Sequence, residues 1–226
     1  MKITYYGHSC FSVLVNGKNL LFDPFITPNK LASHIVVDQI KADYIFVSHG
    51  HEDHIADAVR IATNNGSVMV SNWEIINWAI NQGVTSTHPM NIGGHWFFDF
   101  GKVKCVNAVH SSSLPDGTYG GNPMGFLVET GEQSFYYSGD TALNYDMKLI
   151  GEFKKMDFAL LPIGNNFTMG IDNAIIAAGF IRCDKIIGLH YDTFDTIKID
   201  HEEAIDKFSR AGKDLLLPAI GETIEI

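Results

Sequence analysis

Apolar residues fall along this chain in short runs that end at polar or glycine-bearing turns. Their spacing separates strands from helices. The opening residues, from Met1 to His8, read as a strand. Cys10-Phe11-Ser12-Val13-Leu14-Val15 alternates loosely, Asn16-Gly17 is a hairpin signal, and Leu20-Leu21-Phe22 resumes a strand. Pro24 and Pro28 open a loop. Tyr44-Ile45-Phe46-Val47 is an apolar run that precedes a helical pattern over residues 53–64, closing near Gly66. Val68-Met69-Val70 is a short strand, and Asn72 is placed to cap a helix over 73–82 that stops at Gly83. Further strands are predicted over 96–100, 103–109, 125–130, 134–137, 158–161 and 185–189, with helices over 146–154 and 172–181. Asp200 and Glu203 have the spacing of a capping box for a helix through Arg210. Leu215-Leu216-Leu217 and residues 223–226 close the chain as strands. No repeat or linker interrupts the series, so one domain over 1–226 is expected. This mixed α/β (α+β) pattern fits two sheets packed face to face with helices outside.

The densest chemistry is Val47-Ser48-His49-Gly50-His51-Glu52-Asp53-His54, at the junction of a strand and a helix. A fold core does not require that cluster. Neighbouring imidazoles repel when protonated and need partners when buried and neutral. A divalent cation meets both demands, because it takes neutral imidazole nitrogens and carboxylate oxygens. The spacing permits two cations. His49 and His51 are two apart and can project to one side of an extended turn. Asp53 and His54 come after the chain turns into the helix and can face a second position.

The H-x-H-x-D-H pattern resembles the signature of the metallo-β-lactamase superfamily. That superfamily expects a lone His after a strand, then a bridging Asp, then a final His. Val106-Asn107-Ala108-Val109-His110, Phe135-Tyr136-Tyr137-Ser138-Gly139-Asp140-Thr141 and Ile186-Ile187-Gly188-Leu189-His190 supply them in order. The resemblance spans most of the chain. It implies a four-layer αββα sandwich with the metal loops along one edge of the paired sheets. It implies that His49, His51 and His110 hold one metal, Asp53, His54 and His190 a second, and Asp140 both. It also implies that the cations, about 3.5–4 Å apart, hold a hydroxide that attacks the substrate, with Asp53 orienting that nucleophile. Zinc is the expected metal, and the donors also suit manganese or iron. Asp140 stands where true zinc β-lactamases commonly use cysteine in a non-bridging role, which favours esters, lactones or phosphodiesters over β-lactams.

Within the superfamily the chain resembles a group of bacterial metal-dependent hydrolases without an assigned substrate. Tyr6-Gly7-His8-Ser9-Cys10-Phe11, Leu21-Phe22-Asp23-Pro24-Phe25, Met90-Asn91-Ile92-Gly93-Gly94, Ser138-Gly139-Asp140-Thr141-Ala142, Asn166-Phe167-Thr168-Met169-Gly170 and His190-Tyr191-Asp192-Thr193-Phe194 carry that resemblance. Ascorbate-phosphate lactonases and phospholipase-D-type phosphodiesterases look like more distant relatives. Asn165 departs from the group's pattern, which often has Asp there.

Composition narrows the reading. The chain has 226 residues, 46% hydrophobic and 19% charged, with a net charge of −10. No apolar stretch approaches the roughly 18 residues of a membrane span. The acidic balance disfavours nucleic acid and anionic membrane as partners. A small, soluble, anionic molecule is the expected substrate, and a homo-oligomer is compatible with the sequence. Cys10, Cys105 and Cys183 lie in apolar segments without C-x-x-C spacing and read as reduced core residues. Together with the lack of a signal-peptide pattern, they point to the cytoplasm.

Other polar residues admit two readings each. The resemblance puts His8 at the cleft mouth, for substrate binding or proton transfer, against a structural hydrogen bond. Asp23 reads as a residue that ties down the histidine loop. Asn166 and Thr168 are candidates for the pocket wall, and Tyr191 and Phe194 for its flanks. His34 and His88 read as loop residues, His95 as a strand-start residue and His201 as an exposed first-turn helix residue. Trp73 and Trp78 read as helix core. Two functions compete with a small-molecule hydrolase. One is a metal-binding sensor or scaffold without catalysis; the other is a nuclease of the same superfamily, which needs a basic arm that this chain lacks.

Overall fold

The computed structural model describes residues 1–226. Strands β1 (Lys2–Gly7), β2 (Cys10–Val15) and β3 (Lys18–Phe22) form an antiparallel meander. Asn16 and Gly17, with φ of 48° and 77°, make its second turn in the left-handed conformation that a two-residue hairpin needs. Strands β4 (Tyr44–Phe46), β5 (Val68–Ser71) and β6 (Thr87–Pro89) extend the sheet in parallel. The second sheet contains β7 (His95–Phe98), β8 (Gly101–Asn107), β9 (Met124–Glu129), β10 (Ser134–Tyr137), β11 (Phe158–Pro162), β12 (Lys185–Leu189) and β13 (Asp214–Leu216). The last strand, β14 (Thr223–Glu225), returns to pair with β1. The sheet orders are β14-β1-β2-β3-β4-β5-β6 and β13-β12-β11-β10-β9-β8-β7.

Period-two alternation explains the layers. Leu20, Phe22 and Phe46 of the first sheet meet Phe126, Phe135, Tyr137, Phe158 and Leu160 of the second in one buried cluster. Phe22 stacks on Phe11 at 4.6 Å and on Phe46 at 5.0 Å. The intervening residues point the other way. Leu21, Ile45 and Met69 pack with residues of α1 (Glu52–Ile55), α2 (Ala58–Asn65) and α3 (Trp73–Asn81). Tyr136, Ala159, Leu161 and Ile186 pack with α4 (Met147–Phe153), α5 (Ile171–Phe180) and α6 (His201–Arg210). Three apolar seams between four layers make the αββα sandwich. Strands buried on both faces read as continuous apolar runs, which is how β4, β11 and β12 appear in the sequence. No helix is long and apolar enough to cross a membrane.

Several boundaries differ from expectation for local reasons. The helix predicted over 53–64 is broken at Asp57. The Asp57 amide bonds Pro24 O at 2.9 Å, and its carboxylate accepts the amides of Ile26 and Thr27 at 2.7 and 2.8 Å. The loop opened by Pro24 therefore takes the groups that would continue the helix. The strand β6, with His88, was not apparent because Thr87-His88-Pro89 is not an apolar run. It forms by pairing with β5 at the sheet edge, where Pro89 need not donate. The strand expected to reach Val109 stops at Asn107, where its β9 partner begins at Met124. Asn72 caps α3 by accepting the Ile75 amide, and Asp200 caps α6 by accepting the Glu203 amide. Trp73 is exposed rather than core. All three cysteines are buried and unpaired.

Truncating Phe22 tests the inter-sheet seam. Phe22→Ala should cost about 3–5 kcal/mol of unfolding free energy, the range for a large buried ring, while Leu14→Ala at an exposed position should stay within about 0.5 kcal/mol. Urea denaturation of the two variants measures the difference.

Candidate metal centre

The candidate residues follow the carboxyl ends of strands that run in one direction within each sheet. His8 follows β1, Asp23 follows β3, and the His49 loop follows β4. His110, Asp140 and His190 follow β8, β10 and β12. The loops therefore collect on one edge of the sandwich. His8, Asp23 and His190 have φ of 56°, 41° and 55°, a left-handed conformation that is uncommon for such residues and clusters at functional sites. The His190 amide bonds His8 O at 2.9 Å, which ties the two sheets together at this edge.

Two donor groups face each other there. One nitrogen from each of His49, His51 and His110 forms the first, all within 4.8 Å of one another. Atoms of His54, His190, Asp53 and His8 form the second. Asp140 Oδ2 sits between them, 2.9 Å from His190 Nε2, 3.3 Å from His54 Nε2 and 3.7 Å from His110 Nε2. The structure thus brings together all the residues the resemblance assigned as ligands: His49, His51, Asp53, His54, His110, Asp140 and His190.

Their outer partners set the tautomers. Asp23 is wholly buried. Its Oδ1 accepts the Ser48 amide at 2.7 Å, and its Oδ2 accepts Ser48 Oγ, Tyr137 OH and His54 Nδ1. His54 therefore keeps a proton on Nδ1, which makes Nε2 the nitrogen that a cation would take. With Ser48 Oγ donating to Asp23, His49 Nδ1 donates to Ser48 Oγ at 2.9 Å. His51 Nε2 faces Ser111 Oγ at 3.4 Å. That leaves His49 Nε2 as an acceptor, which meets His51 Nδ1 at 3.0 Å. His54 Nε2 and Asp140 Oδ1 are buried with no hydrogen-bond partner. Converging imidazole nitrogens and unpartnered buried polar atoms are what a cation would satisfy. The donors fit divalent metal ions.

Charge preferences agree. Burial pushes the imidazoles of His49, His51 and His110 below their ordinary range, so they are neutral and able to ligate. Burial also opposes a charge on His54, yet the carboxylates of Asp140 and Asp23 outweigh it and hold that imidazole well above its usual value. Without a cation, a proton on His54 is the positive charge that this position demands. Asp140 and Asp53 stay ionised despite burial. His190 and His54 hold the first carboxyl low, and His54 and His8 the second.

His8 is not at the cleft mouth. It is 1% exposed and stands behind Asp53, donating from Nε2 to Asp53 Oδ2 at 3.2 Å while Nδ1 meets Thr193 Oγ1 at 3.0 Å. Both ring nitrogens are engaged, so it is placed to hold Asp53. Asn166 and Thr168 do not line the cleft either; Phe167 between them does, with Ser111, Phe194 and Thr196. Asn165 is exposed, and its amide bonds Met169 O at 3.0 Å. Tyr191 is buried against Tyr5. His34, His95 and His201 are exposed and outside the centre, with His201 Nε2 bonded to Asp192 at 2.6 Å. Ser48, Tyr137 and Ser111 were missed, because hydroxyls in apolar or serine-rich segments carry no spacing signal.

Burial also pushes the His8 imidazole down to about 4 from 6.5, helped by His190 and opposed by the Asp53 hydrogen bond. In the unfolded chain His8 titrates near the ordinary value. Between pH 6.5 and about 4 the unfolded state therefore holds more protons, and stability falls as pH falls through that window. In chelator-treated protein, His8→Asn should remove this contribution. Urea denaturation at pH 7 and 4.5 should show the wild type losing more stability than the variant; parallel losses would contradict the assignment.

Comparison with known proteins agrees with this geometry. Residues 2–190 match the family described as beta-lactamase superfamily domain. The chain is 58% identical over 226 residues to a UPF0173 metal-dependent hydrolase of Flavobacterium johnsoniae, covering 100% of both chains. A Bacillus cereus protein of the same description is 43% identical over 231 residues, again covering 100% of both. The structure of Igni18, a novel metallo hydrolase from the hyperthermophilic archaeon Ignicoccus hospitalis, superposes with a TM-score of 0.90 at 34% identity, covering 99% of this chain and 97% of that one. The protein therefore belongs to the metallo-β-lactamase superfamily, within its family of UPF0173 metal-dependent hydrolases.

Proposed function

We propose that this chain is a dinuclear metal-dependent hydrolase that cleaves a small ester, lactone or phosphodiester. The convergence on Asp140 Oδ2 of imidazoles from both donor groups carries the reading. His49, His51 and His110 would hold one cation, Asp53, His54 and His190 the other, and Asp140 both. When bound, such cations supply a nucleophile at neutral pH by acidifying water, and they polarise the bond under attack.

The chain's own groups do the rest. Asp53 lines the cleft with Oδ2 held by His8, and its carboxylate would orient the attacking water and take its proton. The water oxygen would join the carbonyl or phosphoryl centre, the bond to the leaving oxygen would break, and the leaving group would depart with the proton that Asp53 took from the water. Asp23 and Ser48 fix the imidazoles before substrate arrives, so little reorganisation is left to the reaction. His8 acts through Asp53 as a positioning residue.

Elemental analysis after reconstitution should approach two metal equivalents per chain, and ester hydrolysis should vanish with a chelator and return with zinc, manganese or iron. A ceiling of one equivalent, unchanged by His190→Ala, would reject the dinuclear assignment. Asp140→Ala should lose metal and activity together. His8→Asn should keep the metal and lower kcat about 10–100-fold, the usual cost of removing an outer hydrogen-bond partner. Metal loss in His8→Asn would make His8 a ligand.

A further inference from the structure

The cleft above the candidate centre has a volume of about 470 Å3. No lysine or arginine lines it, and the only charged side chains that do so besides histidines are Asp53 and Asp140. Asp53 and Asp140 are the proposed ligands, whose charge bound cations would offset, so beyond the centre itself an anionic group on the substrate would meet no protein cation, on a chain of net charge −10. An anionic substrate would therefore be met by the bound cations alone.

Two apolar rings stand among the polar lining residues. Phe167 is 57% exposed and Phe194 42% exposed, although each would be favoured in a core. Phe167 is held out by its loop. Asn165 and Asn166 adopt consecutive left-handed conformations, φ 62° and 58°. A bridge between Gly164 and Gly170 closes the loop base, and buried Met169 anchors it, its amide bonding Thr141 O at 3.0 Å. A Cβ at Gly164 would come within 2.0 Å of His190 O, so the loop seats directly against a residue of the cleft. Phe194 stands edge-on to His8 at 5.6 Å and lies 6.5 Å from Phe25. The loop backbone thus presents Phe167 at the cleft, and Phe194 is packed against two other rings before any ligand binds.

Resting on the hydrolase reading above, we infer that the substrate carries an uncharged, planar apolar group beside the bond that is cut, and that Phe167 and Phe194 hold it. Two exposed aromatic rings in an otherwise polar cleft suit such a ligand.

The test compares 2-naphthyl acetate with its 6-carboxylate analogue on zinc-loaded enzyme. The neutral ester should have the higher kcat/KM, by about tenfold (1.4 kcal/mol). In F167A/F194A, KM for 2-naphthyl acetate should rise about tenfold and the preference should collapse; both sites are exposed, so the fold is spared. T196K, which adds a cation to the lining, should shift the ratio toward the carboxylate. Equal or better turnover of the carboxylate by the wild type, or a preference unchanged in F167A/F194A, would overturn the inference. Failure of the hydrolase reading has a different signature, the absence of metal-dependent turnover of either ester. In that case binding of 2-naphthol, followed by ligand-observed NMR, decides: binding lost in F167A/F194A supports the aromatic site, and no binding or equal binding overturns it.

Discussion

The carboxylate of Asp23 is the constraint on which the site depends. It is buried at the end of β3, where an ionised group without partners would be prohibitive. Donors from three parts of the chain make it tolerable: the Ser48 amide and hydroxyl, the Tyr137 hydroxyl from the opposite sheet, and His54 Nδ1. Each donor is fixed by satisfying it. The histidine loop is pinned, the two sheets are locked at their shared edge, and the His54 ring is oriented with Nε2 toward Asp140.

The rest of the architecture serves that edge. The inter-sheet seam of phenylalanines holds β3 and β10 at a fixed separation, so Asp23 and Tyr137 OH can meet. The interruption of the helix at Asp57 has a comparable role. By binding the loop after Pro24, Asp57 fixes the segment that leads away from Asp23 and lets the short α1 present Asp53 and His54. Left-handed residues at His8, Asp23 and His190 store strain at the candidate centre, and the packed sheets beneath supply the stability that tolerates it.

How much of this the sequence disclosed follows from the range of each interaction. His49, His51, Asp53 and His54 were legible because their chemistry is contiguous. His110, Asp140 and His190 were legible because each closes an apolar run, and ordered resemblance joined them. His8 was found, but its place behind Asp53 depends on contacts with Asp53 and Thr193, far away in the chain, and spacing cannot report these. Asn166 and Thr168 were named, while the intervening Phe167 reaches the cleft; one residue's offset in a loop depends on backbone angles that a residue string leaves open. Strand β6 had no apolar pattern because its partner, rather than its own composition, makes it a strand.

The decisive measurement is metal affinity in Asp23→Asn, followed by isothermal titration after circular dichroism has confirmed the fold. The substituted amide can donate to His54 Nδ1, which moves the ring proton to Nε2 and blocks that nitrogen as a ligand. If Asp23 sets the tautomer of the centre, one of two divalent ions should bind about 10–100-fold more weakly while the ion at His49, His51 and His110 is retained. Two ions bound with wild-type affinity would contradict it.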